Sequence, residues 1–299
     1  MDDHCELRRA TLEGFAALHL ANETLDLTIL PEIGGKIASL VHRPSGCEWL
    51  WRSPHLKLHH PVYGASYIET SDLGGIDECF PTVAPVAYPT APWQGTLIPD
   101  HGELWCQPWE TAVLEDTPQR IVLSMQCHGV RLPYHFERTL TMEAGQPQIE
   151  LRYRVSNLSH FAMPFVWSIH PLLCIHPGMR LVLPEAVTQV QVDMSTGDHF
   201  GSPGAAQPWP LLVDSDGERI NLAEVQPPDY GRGVKLYAHL ACAERPVEAG
   251  LTDGVRGLYF GFRPGEVTHV GLWLNYGGWS PQGIPPYYNL GLEPCIGGS

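Results

Sequence analysis

The sequence predicts an all-β protein, a large antiparallel β-sandwich in which residues 1–299 form a single domain. Three observations favour this fold class. The 30 glycines and 28 prolines interrupt the chain so often that long helices have little room. Several segments alternate apolar and polar residues, as half-buried strands do. No fixed-period repeat, low-complexity segment or shift in composition marks a domain boundary.

Alternation predicts the individual strands. The first runs from Leu25 to Ile29, and a second over 36–41 ends before a turn at 44–46. The β signal is clear from Ile121 and strongest over 149–155, where apolar residues alternate with polar and charged ones. The later segments are strand-like residues over 180–193, a loop over 198–210, a strand over 270–276, a loop over 277–286 and a last strand over 289–294.

The charge of the chain limits its partners. There are 18 Lys and Arg residues against 33 Asp and Glu, so the net charge is -15. A field of this sign repels phosphate backbones and anionic lipids, so we expect no nucleic-acid or membrane partner. It also disfavours a phosphorylated substrate, unless a local arginine cluster overrides it. No apolar run is long enough for a transmembrane helix.

The first residues and the cysteines predict a cytoplasmic location. The N-terminus lacks a basic segment followed by an apolar one, so no signal peptide is expected. The eight cysteines are scattered and form no Cys-x-x-Cys pair. This pattern is typical of free thiols in a reducing compartment.

Of all the segments of the chain, residues 72–109 look least like a purely structural part of the fold. It contains paired glycines, adjacent acids, His101 and three tryptophans. Glycines allow tight bends and close approach to a ligand, and loops of this kind often carry chemistry on a rigid scaffold. The alternative is a long ordered connection packed by its prolines and tryptophans.

Three residues are candidates for proton transfer. His101 lies in a glycine-flanked loop beside Asp100, which would orient its ring. His170 is surrounded by apolar residues, so it needs a partner or a ligand; a hydrogen-bonded core histidine is the alternative. Glu293 ends an apolar strand, where burial would make it a useful base, unless an arginine pairs with it. Sequence spacing alone does not show that the three meet.

Metal binding remains an alternative at this stage. His55, His59 and His60 form a histidine-rich patch, but their spacing fits no strong zinc pattern and surface histidines explain it. No His-x-His occurs, which argues against a cupin-like centre.

At these residues the chain resembles the aldose 1-epimerase (galactose mutarotase-like) superfamily. The resemblance covers most of the chain, from 30–37 to 292–294. It is carried by a Gly-Gly-Ile before a proline, then His101-Gly102 with Trp105, then His170-Pro171, and finally Glu293 before a proline. The family's fold is a β-supersandwich, in agreement with the predicted strands.

The resemblance implies roles for these residues. Glu293 corresponds to the base that takes the proton from the anomeric hydroxyl, His170 to the acid that protonates the ring oxygen, and His101 to a second histidine at that oxygen. No metal and no organic cofactor is implied. The partner is a small-molecule sugar, an aldohexose or similar aldose, and the protein is expected to be a monomer or homodimer.

The segments at 74–76 and 101–102 are most similar to the hexose-6-phosphate mutarotase branch. That branch has an arginine for phosphate immediately before its Gly-Gly, whereas this chain has Leu73 there. Carboxylates suit sugar hydroxyls better than phosphate. The predicted substrate is therefore a free, unphosphorylated aldose. The expected substrate-binding residues are the acids Asp77 and Glu78, the tryptophans Trp105, Trp167, Trp273 and Trp279, and the polar residues Asn275 and Lys36.

Two other functions remain open from the sequence. A carbohydrate-binding protein would keep the pocket without turnover, and a different sugar isomerase or lyase would use the same type of sandwich. For each tryptophan, core packing is the alternative to sugar stacking. Fold alone does not choose among these functions, because function depends on the site.

Overall fold

A computed structural model describes residues 4–241 and 245–298 of the chain. Cys242 and the first residues of the N-terminus, 1–3, lie outside the described residues. The chain divides into two compact units, Met1–Phe165 and Val166–Ser299. The expectation that residues 1–299 act as one domain stays a prediction.

The first unit consists of antiparallel strands and one short helix, α1 (Tyr67–Thr70). Its strands are β1 (Glu6–Leu12), β2 (Phe15–Ala21), β3 (Leu25–Leu30), β4 (Lys36–His42), β5 (Cys47–Glu48), β6 (Ile76–Cys79), β7 (Val86–Ala87), β8 (Leu97–Ile98), β9 (Glu110–Asp116), β10 (Arg120–His128), β11 (Tyr134–Glu143) and β12 (Ile149–Asn157). One set of paired strands follows the order β1-β2-β3-β4-β6, with β5 on β4. A second sheet has the order β12-β11-β10-β9, and β7 pairs with β8.

The second unit is also antiparallel. Its strands are β13 (Trp167–Leu173), β14 (Arg180–Val182), β15 (Gln189–Ser195), β16 (Ala206–Pro208), β17 (Leu211–Val213), β18 (Arg219–Asn221), β19 (Arg232–His239), β20 (Val247–Thr252), β21 (Gly257–Phe262), β22 (His269–Tyr276) and β23 (Tyr288–Ile296). The main set pairs in the order β13-β23-β22-β19-β15-β16. The remaining strands form a β14-β20-β21 sheet and a β17-β18 hairpin.

The predicted fold class is confirmed, and most of the predicted strands are present. The alternation over 149–155 gives β12, in which apolar residues are half-buried and their neighbours exposed. In the described part of the chain, helix is limited to α1 and two three-residue 3₁₀ turns, Thr196–Asp198 and Pro228–Tyr230. No described helix is long and apolar enough to cross a membrane.

Two features of the fold differ from the sequence prediction. The segment over 198–210 is not a simple loop, because it contains strand β16, which pairs with β15. The β1–β2 hairpin was not predicted; it turns at Glu13 and Gly14, which both have positive φ angles. Such angles match the turn to the twist of the flanking strands.

A buried ion pair connects the two larger sheets of the first unit. Arg138 lies on the inward face of β11 between Phe136 and Leu140, and its side chain is fully buried. Its guanidinium donates to Glu78 of β6 at 3.1 Å and to the carbonyl oxygen of Gly35. The guanidinium carbon lies 5.0 Å from the ring centroid of Trp109. A buried charge of this kind is tolerated only because these groups surround it.

We predict that Arg138→Met lowers the free energy of unfolding by about 3–5 kcal/mol, because it leaves the Glu78 carboxylate buried without its cation. Urea unfolding of the purified variant measures this change. Arg152→Ala is the matched control, since its ion pair with Glu150 is exposed and should contribute about 0–1 kcal/mol. Equal losses in the two variants would show that burial does not decide the contribution of Arg138.

Candidate active site

Three neighbouring strands of the second unit share one polar face. In β22, Val270, Leu272 and Leu274 are fully buried in the core, so the alternate residues point to the opposite face. The register of β23, β22 and β19 aligns these alternate residues in three rows, which we call the polar face. The rows are Asn289, Asn275 and Gly233; then Gly291, Trp273 and Lys235; then Glu293, Gly271 and Tyr237.

Two glycines make room for the carboxylate of Glu293. A Cβ atom at Gly291 would lie 2.7 Å from Glu293 Oε1, and one at Gly271 would lie 2.9 Å from Oε2. These separations are shorter than van der Waals contact allows. The carboxylate therefore occupies space along the sheet that any other residue type at these positions would fill.

Glu293 is fully buried and its two oxygens have different environments. The ammonium of Lys235 donates a hydrogen bond to Oε2. Oε1 lies 3.7 Å from Nε2 of His170, which β13 contributes. Oε1 accepts no hydrogen bond from any described residue. A buried carboxylate oxygen with its lone pairs unused is costly, and it is a suitable acceptor for a ligand hydroxyl.

The neighbours of Glu293 keep fixed protonation states near neutral pH. Burial opposes the charge of Lys235, but the Glu293 carboxylate outweighs it and raises the pKa of Lys235. Burial also raises the pKa of Tyr237, so its phenol stays neutral. The Tyr237 hydroxyl is buried and has no hydrogen-bond partner in the described part of the chain. Lys235 Nζ lies 5.3 Å from the Tyr237 ring centroid.

Trp273 lies beside Gly291 on the polar face, next to this carboxylate. Trp273 is half-buried and meets Trp279 edge to face, with ring centroids 5.8 Å apart. Asn275 is buried, and its side chain binds the backbone of Gly278 and Trp279. Asn275 thus orders the loop that carries Trp279. Trp167 is buried at the start of β13.

The first unit holds a separate buried cluster around Lys36. Lys36 Nζ lies 2.7 Å from Asp77 Oδ2 and 3.1 Å from Asp72 Oδ1, and it donates to the carbonyl oxygen of Gly74. Tyr67 donates to Asp77 Oδ2 at 2.8 Å. Burial raises the pKa of Asp77 even though the Lys36 ammonium lies against it. Asp72 Oδ2 and Asp77 Oδ1 have no hydrogen-bond partner among the described residues.

His101 packs beside this cluster. Its ring stacks on Tyr67 at a centroid distance of 4.0 Å, and its Nδ1 lies 2.9 Å from Asp100 Oδ1. Trp105 meets Tyr67 edge to face and donates from Nε1 to the Asp100 carbonyl oxygen. His101 has a φ angle of 60°, which is rare outside glycine and concentrated at functional sites.

A small recess opens against the acids of this cluster. The residues that line it include Lys36, Asp72, Asp77, His59 and Trp105. Two carboxylates and an aromatic ring thus line this recess. This combination suits the hydroxyls and the apolar face of a polyol.

Glu78 has a different environment from Asp77. It is fully buried, and its carboxylate binds Arg138 and the hydroxyl of Tyr153. Strand alternation turns the two adjacent acids to opposite sides of β6, so only Asp77 reaches the recess.

The structure gathers the predicted residues into two groups. Within the second unit, His170 lies beside Glu293, and Trp273 lies on the polar face with Glu293. Within the first unit, Lys36, Asp77, His101 and Trp105 lie together. Three residues of these groups were not predicted from the sequence: Tyr67, Asp72 and Lys235. The signal for Lys235 was a lysine between the apolar residues Val234 and Leu236 of β19.

No metal centre is evident in the described ranges. They contain no group of three or more His, Cys, Asp or Glu residues that could hold a metal ion. The seven described cysteines are all free thiols.

Residues 6–98, about a third of the chain, match the domain family described as a domain of unknown function, DUF5107. No curated protein matches the sequence. Solved structures are more informative about the fold. A candidate aldose 1-epimerase of Klebsiella pneumoniae aligns with 99% of this chain and 76% of its own, at 15% identity and a TM-score of 0.73.

Two further solved structures agree. A galactose mutarotase-like protein of Clostridium acetobutylicum aligns with 99% of this chain and 89% of its own, at 11% identity and a TM-score of 0.68. A candidate mutarotase of Salmonella typhimurium aligns with 97% of this chain and 85% of its own, at 12% identity and a TM-score of 0.60. At these identities the likeness establishes the fold alone. The predicted resemblance to the aldose 1-epimerase (galactose mutarotase-like) superfamily is confirmed at that level, and similarity to its hexose-6-phosphate branch stays a prediction.

We predict that Gly291→Ala lowers the free energy of unfolding by about 1–3 kcal/mol, because the new methyl group overpacks the Glu293 carboxylate. Thermal and urea unfolding measure the change. Gly261→Ala is the matched control, since Gly261 also lies in a strand but a Cβ atom there would have no neighbour within 4 Å. A Gly291→Ala variant as stable as the control would mean that the carboxylate does not need this space.

Proposed function

We propose that this protein is an aldose 1-epimerase (mutarotase) that interconverts the α and β anomers of a free, unphosphorylated aldose. One observation carries the proposal: Glu293 Oε1 on the polar face and His170 Nε2 on β13 lie 3.7 Å apart. The anomeric hydroxyl and the ring oxygen of an aldose are bonded to the same carbon. An acid and a base that serve both can therefore lie this close together.

The proposed reaction requires only proton transfers. Glu293 Oε1 takes the proton of the anomeric hydroxyl, while His170 gives a proton to the ring oxygen. The C1–O5 bond breaks, and the electrons of the O1–H bond form the carbonyl of the open-chain aldehyde. Rotation about C1–C2 presents the other face, and the reverse transfers close the ring. The mechanism uses no cofactor and no metal.

The remaining predicted residues have supporting roles in this proposal. His101 is assigned to the ring oxygen through the family resemblance alone. Asp77 offers a carboxylate oxygen to a sugar hydroxyl, and Trp273 offers a ring face to its apolar side. Lys36 holds Asp77 in place, and Trp105 lines the same recess.

Three predicted residues support the site more indirectly in this proposal. Glu78 orients the strand that carries Asp77 through its pair with Arg138. Asn275 holds the Trp279 loop. Trp167 packs in β13, the strand that carries His170.

The neutral substrate and the cytoplasmic location are also proposals. Leu73 stands where the phosphate-binding branch has arginine, and the recess presents two carboxylates, which repel phosphate. Free thiols at every described cysteine are consistent with a reducing cytoplasm. We expect a monomer or homodimer with a small-molecule sugar as its partner.

We predict that Glu293→Gln and His170→Asn each slow anomer exchange by about 10²–10⁴-fold, because each removes one proton-transfer group. Magnetization-exchange NMR on a panel of free and phosphorylated aldoses, with and without chelator, measures the rates. His176→Asn is the control, since His176 is exposed and outside the polar face. Near wild-type rates in both site variants would reject the assignment.

Other results of this experiment would identify other functions. Sugar binding without enhanced exchange would indicate a carbohydrate-binding protein. Loss of exchange on adding chelator would indicate a metal-dependent isomerase, and formation of an unsaturated product would indicate a lyase.

We predict that Asp77→Ala weakens sugar binding more than it slows proton transfer, because Asp77 contacts hydroxyls away from the reacting carbon in this proposal. Titration calorimetry gives the affinity, and exchange at saturating sugar gives the rate. Asp216→Ala, in an exposed turn, is the control. Unchanged affinity in Asp77→Ala would exclude Asp77 from the binding site.

A further inference from the structure

We infer that Lys235 is a positioning residue that keeps Glu293 ionised and leaves Oε1 as its only basic oxygen. This inference rests on the proposed function, because it concerns the base of that reaction. Neither the family resemblance nor the sequence motifs assign a role to Lys235.

The contact between Lys235 and Glu293 depends on where the two residues lie in the rows of the polar face. Lys235 is directly opposite Trp273 in the middle row, whereas Glu293 is opposite Gly271 in the next row. The two charged residues are thus diagonal and separated by β22. Because Gly271 has no side chain, the lysine can reach across β22 to Oε2. A Cβ atom at Gly271 would lie 2.9 Å from Oε2 and would crowd this contact.

The contact makes the two carboxylate oxygens unequal. Oε2 accepts from Lys235, while Oε1 accepts nothing from the described residues and lies nearest His170. A carboxylate with two free oxygens could rotate and present either one. Because Lys235 holds Oε2, Oε1 is the oxygen that stays beside His170, the proposed acid, and accepts the proton.

Lys235 itself is not a nucleophile in this arrangement. The raised pKa of Lys235 keeps the amine protonated, so it has no lone pair for an imine with the open-chain aldehyde. Its charge is also neutralised by Glu293, which makes it a poor receptor for an anionic substituent on the sugar.

The remaining task of Lys235 is electrostatic. Complete burial alone favours the protonated, inactive form of a carboxyl group. A cation in contact favours the ionised form, but it also weakens the base, since proton acceptance becomes less favourable. Lys235 should therefore extend activity toward acid pH without raising the rate at alkaline pH.

The other titratable groups near Glu293 do not supply this effect. Tyr237 of β19 is a neutral phenol, and burial raises the pKa of the Cys295 thiol in β23 to about 12. The charge of Asp193 of β15 contributes to raising the pKa of Tyr237. His170 of β13 is the proposed acid and remains in every variant compared.

The test is the pH dependence of anomer exchange in Lys235→Met and Lys235→Arg, from about pH 4 to about pH 9. We expect the acid limb of Lys235→Met to move up by about 1–3 pH units. Lys235→Arg should restore the limb, because a guanidinium is always charged. Lys57→Met removes an exposed lysine and serves as the control. Unfolding curves exclude a general loss of structure.

A second readout separates this inference from the proposed function. Side-chain ¹³C-labelled glutamate, with the resonance assigned by Glu293→Gln, reports ionisation of Glu293 whether or not any sugar is turned over. The inference predicts that the titration midpoint of this resonance moves up in Lys235→Met by the same interval as the acid limb. A wild-type protein without exchange activity but with this shift would reject the mutarotase and keep the electrostatic role.

Two results would overturn the inference. One is an unchanged acid limb with an unchanged midpoint in Lys235→Met. The other is loss of exchange at every pH, with the midpoint unchanged and no recovery in Lys235→Arg, which would place Lys235 in contact with the sugar.

Discussion

The buried ion pair between Glu78 and Arg138 decides how strand β6 is turned in the first unit. Adjacent residues of a strand point to opposite sides, so a slip of one residue would exchange Glu78 with Asp77. Pairing Glu78 with a fully buried guanidinium makes that slip costly, because it would leave the guanidinium without its anion. Asp77 is thereby directed at Lys36 and the recess. A structural contact thus fixes the position of a candidate binding residue that it does not touch.

The second unit positions its carboxylate by the absence of side chains. Gly271 and Gly291 leave space along the sheet, and Glu293 fills it with one oxygen toward Lys235 and the other toward His170. The opposite face of the same strands is a continuous apolar core, with Leu272 and Leu292 fully buried. The apolar core and the polar face are therefore two sides of one three-stranded ladder. A site built on strands in this way is more precisely held than one built on loops.

Much of this was predictable because local rules govern it. The alternation of apolar and polar residues predicted β3, β12 and β22. His170 and Glu293 were recognised as candidates because each is a titratable residue in an apolar segment. The short strand β16 was missed because its pairing with β15 is a tertiary contact without a local pattern. Lys235 was missed for the same reason. A lysine in a strand is ordinarily a solvated charge, and only its partner on β23 makes it part of the site.

By itself the sequence determined the all-β class, the strands that alternate, the acidic charge and the candidates His101, His170 and Glu293. These follow from residue type and from the two-residue period of a strand, which operate over a few neighbouring residues. The tertiary structure decided that His170 lies beside Glu293, that Asp77 faces Lys36 while Glu78 faces Arg138, and that Lys235 binds one carboxylate oxygen of Glu293. Such pairings join strands far apart in the chain, and the register between those strands is set by the packing of the whole sheet.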